Sequence, residues 1–203
     1  MCFSARGGWL SLLMRSLFIL VAFLALSRPV SWAAEERMFS YGKGPYELII
    51  FTDYFCAPCQ KAERELDPVL EEIIERGVKI TMVDFPLYKL TPLYARHFLY
   101  AVNASSNDKE ALRARRLLND RASRMGALTA EHLERDFKNA GIAIKPYDTK
   151  TSLSAYSRLI KKYEVRSTPT FVFVYSPTDI RKYSGSEPVK KGMAELKKAL
   201  SAQ

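Results

Sequence analysis

Residues 48–59 have the sequence LIIFTDYFCAPC, and this stretch decides the fold. Its first four residues are an apolar run that predicts a short buried strand. A turn follows, and Cys56 and Cys59 then stand at the start of a segment with a helical composition. Two cysteines separated by two residues can close a small disulfide ring. The positive end of the helix dipole should lower the pKa of the Cys56 thiol, which makes its thiolate a nucleophile and a good leaving group.

The first 33 residues differ from the rest of the chain and predict a secretory signal peptide. Arg6 and Arg15 give a positive leader without acidic residues, an apolar run follows at 16–26, and small residues stand at the cleavage-site positions within 31–33. An uncleaved membrane anchor is the alternative, although the apolar run is shorter than the ~20 residues that a membrane-spanning helix needs. We therefore expect export to the periplasm or cell envelope, which is an oxidising compartment.

The composition predicts one globular domain over residues 34–203, because 48% of the chain is hydrophobic and 26% is charged. Without the leader, 28 basic residues face 22 acidic ones, for a net charge of +6. This modest balance does not define a nucleic-acid-binding protein. The arginine-rich stretch 113–124 contains no aromatic residue, so it is interpreted as a solvated helix face.

Cys56 and Cys59 are the two cysteines that remain once the leader is removed, and three interpretations compete for them. A redox-active disulfide is favoured by the strand-to-helix context. An inert structural disulfide is the second interpretation, but so small a loop stabilises little. A zinc site is the third, yet zinc needs four ligands, and His97 and His132 lie far away without ligand-type spacing. Thiol–disulfide exchange needs only sulfur chemistry, so we expect neither a metal nor an organic cofactor.

A second motif, Ser-Thr-Pro-Thr at 167–170, stands directly before an aromatic strand. A proline at the head of a strand can adopt the cis form, since the trans preference of an X–Pro bond is only about 0.5–1 kcal/mol. A cis turn would present the backbone of Thr168 to the active-site sulfur and offer an incoming peptide a short β-type pairing. An ordinary trans proline is the alternative. Together with the upstream cysteine pair, the motif becomes specific.

The remaining pattern predicts an α/β domain in which a helical stretch at about 88–165 separates two parts of a sheet. Pro68 lies inside the first helix and predicts a kink or break near residues 66–67. The predicted strands cover residues 39–41, 48–51, 78–83, 170–175 and 180–183, and the predicted helices cover 57–76, 92–102, 108–125, 129–140, 151–163 and a segment beginning near Pro188.

With Cys-Ala-Pro-Cys after a strand and Thr-Pro-Thr-Phe downstream, the chain resembles the thioredoxin superfamily. Its leader and helical stretch make it most similar to the DsbA-like branch of exported thiol–disulfide oxidoreductases. The resemblance covers roughly residues 44–200. It implies a thioredoxin fold with a helical insertion between the central strands.

The resemblance also implies roles for single residues. Cys56 would be the attacking cysteine, exposed at the helix start, and Cys59 the more buried partner that resolves the mixed disulfide. Pro169 would be the cis-proline, with Thr168 facing the sulfurs and Phe55 shaping the rim beside Cys56.

The chain departs from the pattern of its relatives at two places. Ile50 is apolar where many relatives hold a buried acidic residue, although Asp53 stands nearby at the strand end. Ala57 and Pro58 lie between the cysteines, closer to the Gly-Pro pair of reducing thioredoxins than to the His-containing pair of strong oxidants. The resemblance therefore implies a less extreme oxidant.

The expected function is disulfide exchange with unfolded or flexible polypeptides, with the oxidase direction favoured over the reductase direction. A membrane-embedded redox partner would reset the cysteines, no nucleic acid would bind, and the protein would be a monomer. Two other functions stay open. One is a Cu(I) metallochaperone that uses the two thiolates as soft ligands. The other is a non-enzymatic thioredoxin-fold binding module of the cell envelope.

Overall fold

A computed structural model describes residues 37–124 and 129–202, so the predicted signal peptide lies outside the described residues. Strands and helices combine in them to form an α/β fold. The elements are β1 (Ser40–Tyr41), β2 (Glu47–Thr52), α1 (Ala57–Glu75), β3 (Lys79–Asp84), α2 (Thr91–Ala104), α3 (Asp108–Ser123), α4 (Ala130–Asn139), α5 (Lys150–Lys162), β4 (Thr170–Val174), β5 (Ile180–Ser184) and α6 (Ser186–Ser201).

The strands form one sheet in the order β1-β3-β2-β4-β5, which places β2 at its centre. Strand β2 runs parallel to β3 and antiparallel to β4, and the edge strands β1 and β5 are both antiparallel to their neighbours. All residues of β2 after Glu47 are buried, as expected for a strand covered on both faces. The chain therefore leaves the middle of the sheet where β2 ends, shortly before Cys56.

The two faces of the sheet carry separate apolar clusters, because successive side chains of a strand point to opposite sides. Leu48 and Ile50 belong to the larger cluster, which also contains apolar residues of α1, α3, α4 and α6. Ile49 and Phe51 belong to the smaller cluster, together with Tyr156 of α5. This alternation explains why the apolar run at 48–51 has no polar member.

The helical insertion predicted between the central strands is confirmed, because α2, α3, α4 and α5 all lie between β3 and β4 in the chain. The structure ends α3 at Ser123 with Arg124 as its C-cap, one residue before the predicted end at Met125, which lies outside the described residues. The edge strand predicted near residues 39–41 is present as β1.

Helix α1 continues through Pro68 without a break, where the sequence predicted a kink or break. Proline removes the hydrogen bond to the carbonyl four residues earlier, which here belongs to Arg64. Both Arg64 and Pro68 are exposed, so water can reach this part of the helix. The buried face of the helix, with Leu66 and Leu70, packs in the core and supports its continuity.

Candidate active site

Cys56 and Cys59 form a disulfide at the N-terminus of α1, with their Cα atoms 5.2 Å apart. Cys56 is the N-cap residue and has an extended backbone, and Pro58 lies in the first turn, where its missing N–H leaves no bond unmade. The N–H of Cys59 donates to Sγ of Cys56 at 3.3 Å. The sulfur of Cys56 therefore occupies the place of a capping oxygen at the positive end of the helix.

The Thr168–Pro169 peptide bond is cis and lies beside the disulfide. Sγ of Cys56 is 3.7 Å from the carbonyl oxygen of Thr168. The sheet brings the two segments together, because Phe51 near the end of β2 pairs with Thr170 at the start of β4. The structure thus joins the two motifs that the sequence identified separately.

The exposure of the two cysteines follows the predicted order. Cys59 is fully buried, whereas Cys56 is 6% exposed in the disulfide. Cys56 is therefore less open than the resemblance implied, since its sulfur is capped by the helix and covered by the Thr168 segment. Ala57 and Pro58, between the cysteines, are exposed.

Phe55 lies immediately before Cys56 and is half-buried, as expected for a residue on the rim. Its ring centroid is 4.8 Å from that of Tyr94 and 6.1 Å from that of Tyr88. Leu87 and Tyr88 are each about half exposed, at 48% and 49%. The sequence gives no signal for these two residues, because a short segment between a strand and a helix has no periodic pattern that would reveal its neighbours.

Asp53 is a buried carboxylate three residues before Cys56. Its Oδ1 accepts from the N–H of Phe55 at 2.8 Å, and its Oδ2 accepts from the N–H of Leu87 at 3.0 Å and from the hydroxyl of Thr91 at 2.6 Å. The carboxylate therefore ties the turn before Cys56 to the segment between β3 and α2. The sequence placed Asp53 at the strand end but did not predict these bonds.

A buried ion cluster, which we call the Arg115 cluster, consists of Arg115, Glu63, Asp84 and Tyr54. Arg115 is 2% exposed and binds Glu63 through two bonds of 2.8 Å each. Its Nη1 donates to Oδ1 of Asp84 at 2.6 Å and also to the hydroxyl of Tyr54. The Tyr54 hydroxyl donates to Oδ2 of Asp84 at 3.1 Å.

The two buried carboxylates of the cluster have opposite pKa shifts. Burial works to raise the pKa of Glu63, but the charge of Arg115, with hydrogen bonds from Arg115, Thr52 and Asn119, lowers it overall. Burial raises the pKa of Asp84, and Arg115 offsets this only in part. The pKa of Arg115 is well above its ordinary value, because its two anionic neighbours outweigh the cost of burial. The fold thus favours the ionised form of Glu63 and disfavours that of Asp84, each relative to its ordinary carboxyl.

The interpretation of stretch 113–124 as a solvated helix face is wrong for Arg115. Its neighbours Ala111, Leu112 and Leu118 are buried at the three- and four-residue spacing of one helix face, and Arg115 lies on that face. The signal in the sequence is an arginine at the spacing of an apolar helix face, which the number of charged residues in the stretch does not reveal.

No group of three or more His, Cys, Asp or Glu in residues 37–124 and 129–202 is arranged to hold a metal ion, and none of the helices there is long and apolar enough to span a membrane. His97 is buried with its ring 6.4 Å from that of Phe137, as expected for a packing histidine. His132 is exposed.

A family model described as thioredoxin matches residues 38–174, which include both cysteines and the cis-proline. The chain belongs to the thioredoxin family. No curated protein matches it by sequence.

Solved structures with a similar fold come from several bacteria, and three of them are 17–18% identical to this chain. The catalytic domain of ScsC from Proteus mirabilis is 18% identical, with a TM-score of 0.64, over 83% of this chain and 92% of that one. A periplasmic thioredoxin-like protein from Salmonella enterica serovar Typhimurium is 18% identical, with a TM-score of 0.62, over 83% and 93%. A variant of alpha-DsbA1 from Wolbachia pipientis is 17% identical, with a TM-score of 0.62, over 80% and 90%.

The chemistry of the site follows from the fold and the cysteine pair together. A disulfide at a helix N-terminus of a thioredoxin-family protein exchanges with other thiols, because the helix stabilises the thiolate that leaves. The chain is a protein thiol–disulfide oxidoreductase.

Proposed function

We propose that this thioredoxin-family protein is exported and oxidises the thiols of unfolded or flexible polypeptides. The single observation that carries the proposal is the position of Sγ of Cys56, capped by the N–H of Cys59 and 3.7 Å from the Thr168 carbonyl. Export is supported by the leader pattern in residues 1–33, with residues 34–203 as the mature domain. One protein of similar fold is named as periplasmic, in Salmonella enterica.

In the first step, a substrate thiolate attacks Sγ of Cys56. A bond forms between the substrate sulfur and Cys56, the Cys56–Cys59 bond breaks, and Cys59 leaves with the electron pair and takes up a proton. Cys56 is the attacked residue because it is the less buried of the two cysteines. The product is a mixed disulfide.

In the second step, another substrate thiolate attacks the substrate sulfur of the mixed disulfide. A substrate disulfide forms and Cys56 leaves as a thiolate, which the helix dipole and the Cys59 N–H stabilise. Two electrons have passed from the substrate to the protein. In the reverse direction, the Cys56 thiolate attacks a substrate disulfide and Cys59 resolves the adduct.

The surrounding residues bind the substrate chain. The backbone at Thr168, before Pro169, offers a β-type pairing to an extended peptide next to the sulfur. Exposed Ala57 and Pro58 leave room for its approach, and Phe55 forms an apolar edge.

We infer that the protein is a moderate oxidant, because Ala57 and Pro58 supply no imidazole near Cys56. For this two-electron couple about 30 mV corresponds to about 1.4 kcal/mol of reduced-state stabilisation. A membrane-embedded thiol protein would reoxidise the cysteines after each turnover, and the protein would act as a monomer.

The test compares both directions in the wild type and in Cys56→Ser. The oxidised wild type should convert the paired thiols of a reduced, unfolded protein to disulfides, with one substrate disulfide formed for each protein disulfide consumed. The rate at which the reduced wild type reduces insulin should be lower than the rate at which its own dithiol returns to the disulfide. Cys56→Ser should do neither. If the variant kept its cellular role, the binding-module hypothesis would replace this one. Tight Cu(I) binding by the reduced form without thiol exchange would favour the metallochaperone.

A further inference from the structure

We propose that Arg115, from the inserted helix α3, is a positioning residue for the redox centre. It contacts the chain both before and after the two cysteines. Through these contacts it sets the equilibrium between the disulfide and the dithiol form of the pair. This inference rests on the proposed function, since it concerns the same pair of cysteines.

The first contact is with Tyr54, two residues before Cys56. The Arg115 guanidinium lies over the Tyr54 ring, 4.0 Å from its centroid, and donates to its hydroxyl. Tyr54 is fully buried, and its carbonyl accepts from the side-chain amide of Gln60 in α1 at 2.6 Å. A shift of Tyr54 would therefore move the turn and the first turns of the helix together.

The second contact is with Glu63, four residues after Cys59 and thus on the same face of α1. The paired bonds from Arg115 fix the orientation of the carboxylate as well as its charge. The same carboxylate accepts from the hydroxyl of Thr52, the last residue of β2, at 2.6 Å. Arg115 thus connects the helix after the cysteines to the strand before them.

The third contact is with Asp84, and it places the Arg115 cluster at the end of the parallel strands β2 and β3. Asp84 ends β3, and it pairs in register with Thr52. One buried guanidinium therefore joins β3, the turn before Cys56 and helix α1. A buried charge is tolerated only where it is paired, so these contacts are costly to loosen.

Arg116, one residue later, provides a matched control. It also links α3 to α1, through Asp67 at 2.7 Å and Glu71 at 3.2 Å, but its side chain is 40% exposed. Both partners lie further along α1, away from the cysteines. An effect that arises merely from fastening α3 to α1 would appear in both arginine variants.

A loosened turn should favour the disulfide over the dithiol. The reduced protein depends on a well-placed helix N-terminus to stabilise the Cys56 thiolate, whereas the disulfide has no charge to stabilise. The measured reaction is oxidised glutathione plus the dithiol protein, giving the disulfide protein plus two reduced glutathiones. Its equilibrium constant should rise when the positioning is lost.

The experiment measures this constant at neutral pH for the wild type and for R115M, R115K, Y54F and R116M. Y54F changes no charge, and R115K keeps the charge but not the paired geometry. We expect a rise of about tenfold in R115M and about threefold in R115K and Y54F, where tenfold corresponds to about 30 mV. R116M should stay within about twofold of the wild type, which is about 9 mV on the same scale.

Thermal unfolding of both redox forms separates positioning from simple stability. Positioning predicts that R115K and Y54F destabilise the dithiol form more than the disulfide form. Equal destabilisation of both forms, a constant unchanged in either R115K or Y54F, or an equal change in R116M would overturn the proposal. These outcomes need no R115M protein, should that variant fail to fold. A wild type that never exchanges with glutathione would instead overturn the proposed function, and this inference with it.

Discussion

Sγ of Cys56 and the carbonyl oxygen of Thr168 lie 3.7 Å apart, although 112 positions separate the two residues in the chain. The antiparallel pairing of β2 with β4 brings them together, and four helices of the insertion lie between the two strands in sequence. A substrate that reaches the sulfur therefore meets the backbone of the Thr168 segment at the same time.

Substitution of Cys59 should trap substrates. In Cys59→Ser, the Cys56 thiolate can attack a disulfide but nothing resolves the adduct, so mixed disulfides with a peptide substrate should accumulate. Mass spectrometry of the intact protein measures the adduct. Cys56→Ser is the matched control and should form far less of it, because Cys59 is fully buried. Equal trapping by the two variants would contradict the assignment of Cys56 as the exchanging sulfur.

Loss of the Asp53 carboxylate should destabilise the protein. Asp53→Ala removes the acceptor for the part-buried N–H groups of Phe55 and Leu87. A fully buried donor without a partner costs about 1–3 kcal/mol, which is the upper bound for each of these groups. Thr91→Val is the milder control, because it removes one donor and leaves the carboxylate its two N–H partners. Urea unfolding should show a clearly larger loss for Asp53→Ala. If both variants had the same free energy of unfolding as the wild type, the hydrogen bonds of Asp53 between the two segments would contribute nothing to stability.

Gly192→Ala should destabilise the protein, although alanine favours a helix over glycine by about 0.8–1.0 kcal/mol. A Cβ at position 192 of α6 would lie 2.5 Å from an atom of the Phe173 ring and 2.8 Å from one of Tyr183. Overpacking of this kind costs about 1–3 kcal/mol, which exceeds the gain in helix propensity. Denaturant unfolding measures the sign, and an increase in stability would show that these rings can move aside.

The Arg115 cluster predicts opposite pH trends for its two carboxylates. The folded-state pKa of Glu63 is below its ordinary value of 4.5, so the stability from ionised Glu63 is present above that pH and is lost as the pH falls through the folded pKa. The cost of Glu63→Gln, measured as the free energy of unfolding, should therefore shrink in acid.

The contribution of Asp84 to the free energy of unfolding should have the opposite pH dependence. Its folded-state pKa is above its ordinary value of 3.8, so its contribution is present below that pH and is lost as the pH rises through the folded pKa. The cost of Asp84→Asn should shrink as the pH rises. Urea unfolding over a series of acidic pH values measures the stability cost of both variants. If the two costs changed with pH in the same direction, the opposite pKa shifts of Glu63 and Asp84 would be contradicted.

The placement of the cysteine pair and of the cis-proline could be predicted from the sequence, because redox chemistry restricts residue type and spacing. Two cysteines at a helix start and a proline at a strand start are local requirements, so Cys56, Cys59 and Pro169 are recognisable without knowledge of the packing. The strand at 48–51 was equally clear, since burial on both faces leaves an unbroken apolar run.

The Arg115 cluster was not predicted, because its members come from four separate parts of the chain. A charged residue is buried only when partners from other elements satisfy it, and Glu63, Asp84 and Tyr54 become neighbours of Arg115 through the tertiary fold. At Pro68 in α1, too, the outcome depends on tertiary packing that the local sequence does not reveal. Local propensity predicts a kink or break there, but packing of the buried face keeps α1 continuous.

The reduction potential of the Cys56–Cys59 pair decides whether the disulfide is redox-active. It is measured by equilibration in glutathione buffers and alkylation of the free thiols. Thiol oxidation at Cys56 predicts one reversible two-electron transition with a midpoint between about −230 and −120 mV, above the potential of reducing thioredoxin at about −270 mV. A pair that stays oxidised to below about −300 mV would be an inert structural disulfide and would contradict it.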